Sequence, residues 1–282
     1  MQVFKTNKEL SSYLESVNKS ESIGFVPTMG ALHQGHLSLV KRAFETDTLC
    51  VVSIFVNPTQ FDKKEDLVNY PRTLERDVEL LKTLNTSKII VFAPSVQEIY
   101  DEDISSNAFS FDGLEYEMEG KFRDGHFDGV GTVVKRLFQI VLPDHAYFGE
   151  KDFQQLQIIR KMVSKHKLAV KIIGVEIHRE TSGLAMSSRN ERLTDEYKKE
   201  APFIYKTLSE VKSKFGTKSA NKLTEWAENQ FKTYSSLKLE YFVIADTETL
   251  KPVKRKSKKK KYRAFIAAYA GNIRLIDNIA LN

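Results

Sequence analysis

The chain has one cysteine in 282 residues, no apolar run of membrane-spanning length, no internal repeat and, outside one short tract, almost no net charge. The single Cys50 excludes an intrachain disulfide, and its place inside the apolar run 49–56 predicts a buried, inert thiol. No uninterrupted apolar run approaches the roughly 18–20 residues that a membrane helix needs. The opening Met1-Gln2-Val3-Phe4-Lys5 has no basic stretch followed by an apolar one, so no signal peptide is expected and the simplest location is the cytoplasm. Hydrophobic residues at 41% beside charged residues at 28% supply a core, which excludes global disorder.

The net charge of +6 belongs to one tract. Lys254, Arg255, Lys256, Lys258, Lys259, Lys260 and Lys261 fall within eight residues, and without them the chain is close to neutral. A charge so confined reads as a solvated loop between two strands. A phosphate- or nucleic-acid-binding patch is the alternative, although the near-neutral remainder weighs against nucleic acid as a partner.

Over the first two-thirds, short apolar runs at 23–26, 49–56, 89–92, 146–148 and 170–177 read as strands. They lack polar alternation, as strands covered on both faces do. Between them, 37–46, 74–84, 130–141 and 153–163 space apolar residues three and four apart; Leu74, Val78, Leu81 and Leu84 form one such stripe. This alternation predicts an α/β fold with a parallel sheet and helices on both faces. After about residue 180, two polar helical stretches (194–214 and 220–233) precede strand-like 239–244 and 262–269. The expected organisation is therefore an α/β domain over 1–179 and a smaller α+β domain over 180–282.

Four segments carry candidate chemistry. Pro27-Thr28-Met29-Gly30-Ala31-Leu32-His33-Gln34-Gly35-His36 leaves the first strand and enters the first helix. Ligands of open α/β sheets bind at the carboxyl ends of strands, and a helix N-terminus there offers N–H groups and a favourable dipole to phosphate. Gly30 and Gly35 permit a tight turn, and two histidines three apart can both donate to phosphate oxygens. Ordinary loop histidines are the plainer alternative. Zinc binding is disfavoured because no third ligand lies at a recognisable spacing.

Phe148-Gly149-Glu150-Lys151-Asp152-Phe153-Gln154-Gln155 also joins a strand to a helix, and it reads either as a surface turn or as a phosphate contact through the compact Lys151 cation. Gly183-Leu184-Ala185-Met186-Ser187-Ser188-Arg189-Asn190 suits a loop that closes over a triphosphate, or a helix-capping linker. Phe55-Val56-Asn57-Pro58-Thr59-Gln60-Phe61 places two amides at the same sheet edge and is weak by itself.

Together with Tyr70-Pro71-Arg72-Thr73-Leu74 and Gly125-His126-Phe127-Asp128-Gly129-Val130, these segments resemble the motif set of the pantothenate synthetase family. The resemblance is collinear from about residue 23 to 193 and resumes at Arg274-Leu275-Ile276-Asp277-Asn278. It implies a Rossmann-like nucleotidylyltransferase domain with ATP over Met29, Gly30, Ala31, Leu32, His33, Gln34, Gly35 and His36. It further implies His33, His36 and Lys151 as catalytic groups and Gly149, Glu150, Lys151 and Asp152 as an ATP-contacting segment. The main chain of His178 would meet adenine, and Met186, Ser187, Ser188 and Arg189 would form a flexible phosphate loop.

By the same resemblance Gln60 and Gln155 hold pantoate, Gln60 also lies near β-alanine, and Asp77 helps position Mg²⁺ through water. A homodimer is implied, with the C-terminal domain as a lid. Two features depart from the family pattern: Asp124 stands where a proline is usual before the Gly-His-Phe segment, and the lysine tract belongs to no family motif. The implied reaction joins pantoate to β-alanine through an acyl-adenylate. The rivals are a nucleotidyl transferase acting on another acid and a basic nucleic-acid-binding protein with an inactive nucleotide fold.

Overall fold

The apolar runs of the first two-thirds form the core of an α/β unit. The computed structural model describes residues 1–17, 20–61, 64–233 and 236–282. Among these, strands β1 (Gln2–Phe4), β2 (Ile23–Thr28), β3 (Leu49–Ile54), β4 (Ile89–Phe92), β5 (His145–Gly149) and β6 (Lys171–Val175) make one sheet in the order β1-β4-β3-β2-β5-β6. All its pairings are parallel. Helices α1 (Asn7–Ser16), α2 (Gln34–Phe44), α3 (Lys64–Val68), α4 (Leu74–Leu81), α5 (Val96–Tyr100), α6 (His126–Val141) and α7 (Phe153–His166) connect the strands.

Strand β2 is apolar on both faces. Phe25 meets Phe138 of α6 edge-on, with ring centroids 6.1 Å apart, whereas Val26 joins Leu37 and Val40 of α2 in a core with Val52 and Val91. Successive strand side chains point to opposite faces, so α2 and α6 cover opposite sides of the sheet. Strand order reverses at β2, which lies between β3 and β5. Cys50 of β3 is fully buried, and that burial pushes its thiol far above the ordinary cysteine range.

The C-terminal elements are α8 (Asp195–Glu200), α9 (Phe203–Lys214), α10 (Ala220–Lys232) and an antiparallel sheet β7 (Leu237–Asp246), β8 (Tyr262–Ala270), β9 (Ile273–Ala280) in the order β7-β8-β9. The single helix expected over 194–214 is two, because Pro202 lacks the N–H that a continuous helix requires and instead precedes the first residue of α9. Leu208, Leu223, Phe231, Ile244, Ile266 and Leu275 are core residues here. The lysine tract lies between β7 and β8 and is exposed, as expected. Two of its members are nonetheless tied down: Lys256 Nζ donates to the carbonyls of Phe215 and Lys218, and Lys260 pairs with Asp246 at 2.9 Å.

Contacts divide the chain into two compact units. One is Met1–Glu150 with Gln154–Glu176; the other is Ile177–Asn282 together with Lys151–Phe153.

Candidate active site

The loop leaving β2 is held by the side chains of Thr28 and Asp77. Gly30 takes φ +82° and Ala31 φ +50°, turning the chain sharply toward α2. A Cβ at Gly30 would sit 3.1 Å from both Asp77 Oδ2 and Ile54 Cγ2, in a conformation that side chains rarely adopt. Thr28 Oγ1 accepts from the Gly30 N–H at 3.2 Å and donates to the Ser53 carbonyl at 2.7 Å. Asp77 of α4 accepts from the N–H groups of Ala31 and Leu32 at 3.0 and 2.8 Å and from Thr73 Oγ1 at 3.2 Å. The resemblance assigns Asp77 to Mg²⁺ through water; here the residue is 1% exposed and its carboxylate anchors the loop.

His33 is the N-cap of α2, and the two histidines cap each other. His33 Nδ1 accepts from the Gly35 N–H at 3.1 Å, and His36 Nδ1 accepts from the His33 N–H at 3.2 Å. The rings lie 4.1 Å apart at 34°. An Nδ1 that accepts is unprotonated, so in each neutral imidazole the proton sits on Nε2. Both side chains are half-buried, and Gln34 between them is exposed.

Gln60 ends the 3₁₀ turn Pro58–Gln60 after β3. Its Nε2 lies 3.1 Å from Met29 Sδ, and its Oε1 accepts from Asn57 Nδ2 at 3.1 Å. Asn57 is buried and also donates to the Gly129 carbonyl at 3.2 Å, while its Oδ1 accepts from the Tyr100 hydroxyl at 2.6 Å. Burial pushes the Tyr100 phenol up, which keeps it a donor. From the other side, His126 Nδ1 lies 2.9 Å from the Gln60 carbonyl and Arg123 lies 3.2 Å from His126 Nε2. A Cβ at Gly129 would fall 2.4 Å from the Thr59 carbonyl oxygen, so α6 approaches this turn as closely as glycine permits.

The Gly125–Val130 motif thereby acquires a physical role that sequence reasoning did not supply: it supports the Gln60 turn. Gln155, near the start of α7, is half-buried. Its neighbour Gln154 is buried and bonds the main chain at Leu114, Glu117 and Glu119 at 2.8–3.0 Å. Gly149 and Glu150 belong to the first unit.

Lys151 and Asp152 belong to the second unit with His178 and the Ser-Ser-Arg segment. Residues 178–186 form a hairpin: the Met186 N–H donates to the His178 carbonyl at 3.0 Å, and Arg179 pairs with Ala185. Ser187 caps the 3₁₀ helix Ser188–Arg192, its Oγ accepting from the Arg189 N–H at 3.2 Å. Arg179 donates to Asp277 Oδ2 and Oδ1 at 2.7 and 2.9 Å and lies over the Tyr205 ring at 3.8 Å. Burial pushes the Asp277 carboxyl above the ordinary aspartate range, against the pull of Arg179.

A doubly wound parallel sheet, with a histidine-capped helix N-terminus where strand order reverses, defines an α/β enzyme of the Rossmann-like type. The family model described as pantoate-beta-alanine ligase matches residues 2–280. Pantothenate synthetase of Flavobacterium psychrophilum is 58% identical over the full length of both chains, and that of Christiangramia forsetii is 59% identical, also over all of both. The crystal structure of pantothenate synthetase from Thermus thermophilus superposes with a TM-score of 0.91 at 40% identity, covering 100% of this chain and 99% of that one. That of pantoate-beta-alanine ligase from Francisella tularensis, complexed with beta-gamma ATP and beta-alanine, has a TM-score of 0.80 at 35% identity, covering 100% and 98%. The chain belongs to the pantoate–β-alanine ligase family, and it is an enzyme that ligates pantoate and β-alanine to pantothenate with ATP as a substrate.

Proposed function

We propose that the ligation runs in two steps through pantoyl adenylate. The pantoate carboxylate attacks the α-phosphorus of ATP and pyrophosphate leaves. The β-alanine amine, having lost a proton, then attacks the adenylate carbonyl and AMP leaves. The observation that carries this reading is the reciprocal His33–His36 cap. It commits both Nδ1 atoms to the main chain and makes Nε2–H the donor each ring offers to phosphate charge at a helix N-terminus.

In this reading Met29, Gly30, Ala31, Leu32, Gln34 and Gly35 shape the nucleotide loop, and Lys151 neutralises charge at the reacting phosphates. Gly149, Glu150 and Asp152 flank the nucleotide, the main chain at His178 meets adenine, and Met186, Ser187, Ser188 and Arg189 attend the phosphates. Gln60 and Gln155 hold pantoate, Gln60 reaching β-alanine as well. No residue becomes covalently attached; orientation and charge stabilisation supply the rate.

Mg²⁺ enters with the triphosphate as Mg·ATP. Among the described residues no group of three or more His, Cys, Asp or Glu side chains is placed to hold a metal. Magnesium typically binds through substrate phosphates and a few waters rather than in an all-protein cage. The reading extends to a cytoplasmic protein, and the family resemblance adds a homodimer, a state that equilibrium sedimentation checks.

Carboxylate-labelled [¹⁸O]pantoate tests the chemistry, because one carboxylate oxygen stays with the phosphorus attacked. The label is expected in AMP, with pyrophosphate as the other product. Unlabelled AMP, or ADP as the stoichiometric product, removes the adenylate route even where pantothenate is formed.

A further inference from the structure

The stretch Arg274-Leu275-Ile276-Asp277-Asn278 takes no part in the reaction proposed, yet its last residue meets Lys151. Asn278 is 2% exposed, and its Nδ2 donates to the main-chain carbonyl of Lys151 at 2.9 Å. Its Oδ1 accepts from Arg263 Nη1. A flipped amide would set an NH₂ group against the guanidinium, so the two ends of this side chain have distinct partners.

The strand behind it is fixed as well. The Asn278 N–H donates to Asp277 Oδ1 at 2.7 Å, and Nη1 and Nη2 of Arg179 grip the same carboxylate. Two residues beyond Lys151, the Phe153 ring packs against Phe265 at 5.9 Å and under the Arg263 guanidinium at 4.2 Å. Lys151–Phe153 is thus pinned to β8 and β9 at both of its ends.

A lysine ammonium rides on a flexible four-carbon stem, so the main chain at its root decides which volume it can reach. An error of about 1 Å in such placement can cost about 10²-fold in rate. We propose that Asn278 is a positioning residue for adenylation: by holding the Lys151 carbonyl, it sets the ammonium where phosphate charge develops. This rests on the phosphate role given to Lys151 above.

Asn278→Asp keeps an acceptor for Arg263 and loses the donor to Lys151. Pantoate-dependent exchange of labelled pyrophosphate into ATP, measured as initial rates, compares the parent, Asn278→Asp, Lys151→Ala and the double variant. Asn278→Asp is expected to lower the exchange rate about 10- to 100-fold. The pantoate KM should be unchanged, and turnover of preformed pantoyl adenylate with β-alanine should stay within about twofold. In the Lys151→Ala background the substitution is expected to add no further loss, since the group it positions is gone.

An equal loss in both backgrounds overturns the proposal and leaves Asn278 a purely structural residue. Normal exchange by Asn278→Asp beside an impaired Lys151→Ala also overturns it. Normal exchange by Lys151→Ala alone removes the phosphate role of that lysine and the proposal with it, and this is read from the single variant. If Asn278→Asp does not fold, Asn278→Ala enters the same cycle with the same outcomes.

Discussion

Asp77 Oδ1 accepts the Leu32 main-chain N–H at 2.8 Å across 45 positions of sequence, while Oδ2 of the same carboxylate takes the N–H of Ala31. The loop leaving β2 is therefore shaped by a helix that follows the next strand. Asp77→Ala leaves two amides of a largely buried loop without their acceptor, at about 1–3 kcal/mol. A fall in Tm of about 2–4 °C per kcal/mol is expected, with slower exchange. The Mg²⁺ concentration giving half-maximal exchange should be unchanged. A tenfold rise in that concentration would return Asp77 to the metal.

His36 caps α2 and, in the reading proposed above, donates to phosphate charge; one substitution separates the two. Glutamine at this helix position can reach back to the N-cap main chain, so His36→Gln should keep most of the thermal stability. It lacks the imidazole Nε2–H, and loss of a donor aimed at transition-state charge typically costs about 10²–10³ in rate. Melting and exchange measured together decide this. Retained exchange in a folded His36→Gln would leave the histidine a cap alone.

Gly129→Ala drives a methyl group toward the Thr59 carbonyl, to 2.4 Å in the parent geometry. Overpacking of this kind costs about 1–3 kcal/mol, and the turn that must give way carries Gln60. The expected signature is a lower Tm with a raised KM for pantoate and little change in the KM for ATP. A variant with parent kinetics would show that the Gln60 turn tolerates the shift.

Arg179 and Asp277 are a buried pair, with side chains 17% and 2% exposed. Removing either partner alone strands the other charge and should cost about 3–5 kcal/mol, whereas Arg179→Met with Asp277→Leu should cost less than either single change. The pair also has a pH signature. Burial raises the folded pKa of Asp277, so the native state binds a proton that the unfolded chain releases. Its contribution therefore falls as pH rises from the ordinary aspartate value through the raised one. Denaturant unfolding across that window should show the slope in the parent and lose it in Asp277→Asn.

In the lysine tract, serine at Lys254, Arg255, Lys258, Lys259 and Lys261 should leave exchange and Tm close to the parent, since exposed substitutions usually lie within about ±0.5 kcal/mol. Adding Lys256→Ser removes the bonds to the Phe215 and Lys218 carbonyls and should lower Tm further. An equal effect from the first five would mean that the tract acts as one element.

The sheet was legible because its runs are apolar on both faces: β4 falls on the expected 89–92, and the other expected strands differ from the structure by a few residues at their ends. β1 has three residues, too few for any period to show. α1 announces itself through a capping box, Thr6 accepting from the Glu9 N–H at 3.2 Å, and a short stripe of Leu10, Tyr13 and Leu14. The apolar pattern of β9 is interrupted by Arg274, Asp277 and Asn278, polar residues whose side-chain partners are distant in sequence and so leave no local signal. The same reason hid half of the site. The His33–His36 spacing is written in a few adjacent residues, and the Gly125–Val130 motif was visible without its purpose. The contacts of Asp77 with Leu32, Gly129 with Thr59 and Tyr100 with Asn57 exist only in space.

The separation of 127 positions between Lys151 and Asn278 sets an order of assembly on the ribosome. Domains generally fold as units, N-terminal first, as the chain emerges, so the histidine cap and its Asp77 brace can form while the last strands are still being made. Lys151 gains its Asn278 anchor only once β9 has been synthesised. A chain stopped or clipped ahead of β9 lacks the Asn278 bond to the Lys151 carbonyl and holds that segment only through the packing of Phe153 on β8. The last strand thus doubles as a completion mark, withholding the anchor of an early residue until the C-terminal unit exists.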